Sequence, residues 1–219
     1  MSLKFVPEWA KQVVGLRMRT KGKYAKGWPL GAVVHHTAGR DGAEKTLKGG
    51  AKDGYAFWCI QKDGQMYVAH SANEWGWHCG ESKWTKFVKK LIGSCNDDLI
   101  GIEINAAGNV KPTKEGKYVT WFKTVLGPDE VRYSAGVDNQ AKGYYEKFTP
   151  QQENTLIEAL LWLKAQRPDV FDFDLVLGHD EVSGVKGLGY FRKTDPGASL
   201  SMTMSEFREL LKKKWAERS

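Results

Sequence analysis

"GAVVHHTAG", residues 31–39, decides the reading of this chain. Ala32, Val33 and Val34 make a short apolar run that reads as a buried strand. It ends in two adjacent histidines, His35 and His36, just before a turn-like segment. Side chains alternate across a strand, so the two imidazoles face opposite ways and only one easily enters a shared site. Functional residues collect on loops and strand ends held by a rigid scaffold. What else ends beside this strand therefore decides the chemistry.

Four further stretches have strand character. "YAFWCIQ" and "QMYVAH" flank "KDG", with Asp63-Gly64 as turn residues, and read as a hairpin. "LIGIEIN" (99–105) and "FDLVLGH" (173–179) read as two more strands. A helix follows Thr149, a predicted N-cap, with Pro150 at its first position and Gln152 completing a capping box. Leu156, Ile157, Leu160, Leu161 and Leu163 form its apolar stripe, and Pro168 ends it. A last helix over about 205–216 gathers Phe207, Leu210, Leu211 and Trp215, with Lys212 to Lys214 suited to its C-terminal dipole. The polar stretch between Asn105 and Thr149 is too long for a connection and reads as an insertion, at about 106–148. Residues 1–28 read as an N-terminal extension. The expected fold is α/β: a single domain over 29–219 with a mixed central β-sheet flanked by helices.

The 219 residues are 41% hydrophobic, enough for a core, which excludes a disordered chain. A formal charge of +7 favours polyanionic partners such as wall polymers, with attraction weakening as salt rises. No nucleic-acid motif accompanies it, so nucleic acid is not an expected partner. Three cysteines, Cys59, Cys79 and Cys95, are odd in number and widely spaced, against a disulfide framework, and no CxxC pair suggests a zinc finger. The first residues carry early charges and no apolar core of signal-peptide length, and no run approaches a membrane span. The expectation is a monomer synthesised in the cytoplasm without a signal peptide.

The chemistry rests on a few side chains. His35 or His36 ends one predicted strand and His179 ends another. Further on, "RKTDPG" sets Asp195 before Pro196 and Gly197, a turn that fixes a carboxylate's direction. Two imidazoles and one carboxylate bind zinc and leave a fourth position for water. Gly184, Gly187 and Gly189 do not form a phosphate loop, because no GxxxxGK[ST] pattern is present. Glu103 lies mid-strand among Ile100, Ile102 and Ile104, where burial is costly without a partner or a purpose. It reads as an ion-pair partner or as a general base.

Taken together and in order, "VVHHTAG", "GYAFWCIQKDG", "WGWHCG", "DLIGIEIN", "LGHDEVS" and "RKTDPG" resemble the zinc-dependent N-acetylmuramoyl-L-alanine amidases of the type 2 amidase family, which also includes phage lysins and peptidoglycan recognition proteins. The match spans roughly residues 30 to 200. The resemblance implies that fold, one catalytic Zn2+, and His35 rather than His36 as a ligand together with His179 and Asp195. It implies Glu103 as the base, Lys193 as a stabiliser of the oxyanion and Tyr55 as a catalytic tyrosine of the phage-type members. His78 matches a position near the substrate, and Trp77 is a candidate groove residue. The implied substrate is peptidoglycan or a muropeptide, cut between N-acetylmuramic acid and L-alanine. The implied settings are wall lysis after phage-lysin-like release or cytosolic recycling. A recognition module that binds muropeptide without cutting is the alternative, and such modules usually lack a ligand. The 106–148 stretch and "GVKGLGYF" (184–191) depart from a minimal member.

Overall fold

In the computed structural model the described residues are 3–82, 94–137, 140–183 and 192–218. "GVKGLGYF" lies outside them. In chain order, β1 (Lys11–Gln12), β2 (Gly22–Lys23) and β3 (Gly31–His36) precede α1 (Ala43–Lys52), followed by β4 (Trp58–Ile60), β5 (Met66–Val68) and β6 (Glu74–Trp75). The short α2 (Cys95–Asp98) runs into β7 (Leu99–Ile104). Then come β8 (Asn109–Pro112), β9 (Tyr118–Val119), β10 (Val125–Leu126), β11 (Val131–Ser134) and β12 (Gly143–Glu146). The chain closes with α3 (Pro150–Gln166), β13 (Val176–Gly178), α4 (His179–Ser183) and α5 (Met204–Ala216).

The central sheet is mixed, as the sequence predicts, in the order β1-β5-β4-β7-β3-β13. β4, β7, β3 and β13 pair in parallel, and β5 returns antiparallel to β4 as the second arm of the hairpin. Parallel strands covered on both faces need apolar residues on both, which explains the unbroken runs in β3 and β7. One face of these strands, with Ala32, Val34, Ile100, Ile102 and Ile104, packs against Leu156, Leu160 and Leu163 of α3 and Phe207 and Leu211 of α5. Val33, Leu99 and Leu177 enter a second cluster on the other face, with Cys79, Cys95 and Val182.

Helix ends follow their caps. Thr149 Oγ1 accepts from Gln152 N at 3.1 Å, and Gln152 Oε1 accepts from Thr149 N at 2.9 Å. Gln152 is buried, and its Nε2 also donates to Asn105 O at 2.9 Å, which ties the start of α3 to the end of β7. α5 begins at Met204, one residue before the expected start, because Thr203 supplies its cap.

Residues 109–146 fold into an antiparallel sheet of order β10-β9-β8-β12-β11 over a small core of Ala107, Val110, Leu126 and Val131. This sheet leans on the segment that carries Asp195. Tyr145 is fully buried against Gly197, where any Cβ would overlap its ring. Arg132 Nη1 donates to the carbonyls of Ala198 and Leu200, at 3.0 and 2.6 Å. Before residue 29, β1 takes the edge of the central sheet beside β5, and β2 pairs with β6.

α5 is fastened to the end of β13 by charge. Arg208 forks onto Glu181 with contacts of 2.9 and 3.0 Å and donates to Val176 O at 3.1 Å. Both side chains are nearly buried, so removing one leaves the other without its main partner. Arg208→Met is expected to lower unfolding free energy by about 3–5 kcal/mol in urea titrations. The pair Glu181→Gln/Arg208→Met should recover most of that loss.

Candidate active site

β3 and β7 are in register with His35 opposite Glu103, and β4 adds Cys59 opposite Glu103. Alternation puts His35 on the face of Gly101 and Glu103, and His36 on the face of Ile102 and Ile104. His179 begins α4 straight after β13, which pairs with β3. Asp180 N donates to Asp195 O at 2.8 Å, so the backbone beside His179 also holds Asp195.

Three atoms meet there. His35 Nδ1 and His179 Nδ1 are 3.0 Å apart, and Asp195 Oδ2 lies 3.0 Å from the first and 2.8 Å from the second. All three residues are buried. Their far sides settle the proton positions. His179 Nε2 is 3.1 Å from Cys79 O, and His78 Nε2 is 2.9 Å from Leu99 O. A carbonyl only accepts, so both of these Nε2 atoms carry the hydrogen. Burial, with His35 beside it, holds the His78 imidazole well below its usual range, so at neutral pH its Nδ1 is bare. His35 Nε2, 3.2 Å from that nitrogen, must then donate to it. Both Nδ1 atoms therefore turn inward toward one carboxylate oxygen of Asp195, and three ligand-type atoms converge.

The charges agree. Burial, then the neighbouring His179, pushes the His35 imidazole down to about 4, so it is neutral at pH 7. Burial alone would push the Asp195 carboxyl up. The neighbouring His179 outweighs that and holds it well below the usual carboxylate range. Two imidazole nitrogens and one carboxylate suit Zn2+, and their outward hydrogen bonds to carbonyl and imidazole are the kind that orient metal-binding histidines.

The three atoms open into a cavity of about 450 Å³, whose lining includes Glu103, Lys193, Tyr55 and His78. Glu103 Oε2 is sealed from solvent and has no hydrogen-bond partner among the described residues. Burial, then the Asp195 carboxylate, pushes its carboxyl up to about 8 against the opposing pull of Lys193. Tyr55 is 42% exposed at the mouth. Trp77 lies outside the lining; it is bridged to Tyr55 and its ring meets Trp75 edge-on. His78 lines the cavity, but both its ring nitrogens are engaged, on His35 and on Leu99 O. His36 packs against Gly108, and neither of its ring nitrogens has a partner among the described residues.

Sequence reasoning missed the supports. Gly101 leaves room for the His78 ring, whose Cγ would sit 2.6 Å from any Cβ there. Cys79 contributes its carbonyl rather than its thiol. Trp121, exposed in the turn between β9 and β10, donates its indole N–H to Ala38 O at 2.6 Å, at the rim of the cavity. A glycine inside a strand is the one signal that pointed at any of these.

The fold is that of known amidases. AmpD, solved as a selenomethionine derivative, aligns at TM-score 0.52 and 20% identity over 96% of this chain and 99% of its own. The endolysin N-acetylmuramoyl-L-alanine amidase LysCS from Clostridium intestinale aligns at TM-score 0.50 and 18% identity, over 93% and 95%. AmpDh3 from Pseudomonas aeruginosa, in complex with anhydromuramic pentapeptide, aligns at TM-score 0.51 and 16% identity, over 96% and 67%. No curated protein matches. The family model for N-acetylmuramoyl-L-alanine amidase matches residues 26–198, and the chain belongs to that family.

The raised Glu103 carboxyl makes a stability prediction for metal-stripped protein. In the unfolded chain it ionises near 4.5, and in the folded chain near 8. Between those values the folded state holds a proton that the unfolded state releases, so this group makes stability fall as pH rises. Glu103→Gln removes the effect. Its melting temperature minus that of wild type is expected to increase from pH 5 to pH 8; a flat difference would contradict the burial of Glu103.

Proposed function

We propose that this protein is a zinc-dependent N-acetylmuramoyl-L-alanine amidase with His35, His179 and Asp195 as the metal ligands. The observation that carries the reading is the convergence of two imidazole Nδ1 atoms and one carboxylate oxygen at 2.8–3.0 Å. The bond cut is the amide between the lactyl group of N-acetylmuramic acid and L-alanine of the stem peptide.

Zinc held by this set would lower the pKa of a water toward neutrality and polarise the amide carbonyl. The chain's own groups do the rest. Glu103 in its ionised form takes the proton of the attacking water and returns it to the leaving amine. Lys193, in the cavity lining, stabilises the developing oxyanion; losing one such donor typically costs about 10²–10³ in rate. Tyr55 at the mouth is placed to touch the substrate. Trp77, beside it, extends an aromatic wall for the muropeptide. His78 orients His35 from behind.

All three ligand types are present, which favours cutting over binding alone. The setting we favour is lysis of the cell wall, supported by the positive charge of +7.

Purified protein incubated with peptidoglycan should release new L-alanine amino termini and no new reducing sugar ends. Reducing ends would mean a glycosidase, and no product from zinc-loaded protein would mean a binding module. His35→Ala and Asp195→Ala are each expected to lose both metal and activity. His36→Ala should keep most of its zinc, because its side chain points to the other face of the sheet.

A further inference from the structure

Asn96 sits in α2, three residues before β7, and is buried to 3% exposure. It touches no ligand histidine. Its side chain nonetheless holds every residue of the strap 78–80. Oδ1 accepts from His78 N at 2.9 Å, from Cys79 N at 3.0 Å and from Cys79 Sγ at 3.4 Å. Nδ2 donates to Gly80 O at 3.1 Å. A primary amide offers one acceptor oxygen and two donor hydrogens, and here both ends act on the same three residues.

That strap supplies the two groups behind the metal-ligand set. His78 Nδ1 accepts from His35, and Cys79 O accepts from His179. Each contact fixes one imidazole ring with its Nε2 turned outward and its Nδ1 turned to Asp195. Both contacts come from one short loop, and one buried amide fastens that loop to the start of β7. β7 in turn carries Gly101, under the His78 ring, and Glu103.

We propose that Asn96 is a positioning residue that sets the tautomers of His35 and His179 by clamping the 78–80 strap. The proposal rests on the reading of those histidines as metal ligands, and its first readout needs no metal. Asparagine fits the task where its relatives do not. Aspartate keeps the acceptor for the two N–H groups but cannot donate to Gly80 O. Alanine keeps neither, and leaves the buried N–H groups of His78 and Cys79 without a partner.

The test compares wild type, Asn96→Ala and Asn96→Asp. In metal-stripped protein, nitrogen-15 spectra of the imidazoles should show His35 and His179 protonated at Nε2 in wild type. In Asn96→Ala they should show a mixture of tautomers. Zinc affinity should fall about 10–100-fold, the usual size for loss of an orienting partner, and kcat should fall with KM little changed. Asn96→Asp should stay nearer wild type in tautomers and in zinc affinity. Wild-type tautomers and zinc affinity in Asn96→Ala would overturn the proposal, as would equal damage in the two variants. Should Asn96→Ala not fold, hydrogen exchange of the wild-type protein decides. The His78 and Cys79 amides should exchange as slowly as those of β7; exchange at the rate of an open loop would overturn the clamp. Zinc-loaded wild type that leaves peptidoglycan uncut would contradict the amidase reading and leave the tautomer result standing.

Discussion

A backbone carbonyl can only accept a hydrogen bond, and two of them organise this site. Leu99 O takes the hydrogen of His78 Nε2, which bares the His78 Nδ1 to accept from His35. Cys79 O takes the hydrogen of His179 Nε2. With both Nε2 atoms committed outward, the Nδ1 atoms of His35 and His179 point inward. They face the ionised Asp195 within 3.0 Å. A cation would relieve that crowding.

The rest of the molecule keeps those carbonyls and rings in place. The register of β3 on β7 sets His35 beside Glu103, and the pairing of β13 on β3 delivers His179 to the same rim. The Arg208–Glu181 pair holds α5 against the start of α4. The sheet of residues 109–146 does for Asp195 what α5 does for His179: Tyr145 and Arg132 brace the turn that follows it. A segment that reads as an addition to the sequence is in this way part of the scaffold around the site.

Elements with a local cause were legible in the sequence. The α3 cap is written in Thr149 and Gln152, the hairpin in Asp63-Gly64, and the central strands in their apolar runs. Strand alternation alone separated His35 from His36, since it requires only neighbours in the chain. Picking His35, and joining it to His179 and Asp195 across 144 and 160 residues, needed the order of six motifs. The supports were invisible because they act through backbone atoms or through empty space. Cys79 serves by its carbonyl, Gly101 by having no side chain, and Asn96 by contacts to a loop distant in the chain. No periodicity records such roles. The five strands of residues 109–146 were equally hard to see, being two to four residues each and too short for an alternating pattern to stand out.

Calorimetric titration of metal-stripped protein with Zn2+ tests the central claim most directly. One tight site per chain in wild type, abolished by His179→Ala, is the expected result. Zinc binding that survives loss of His179, or no saturable site in wild type, would contradict it.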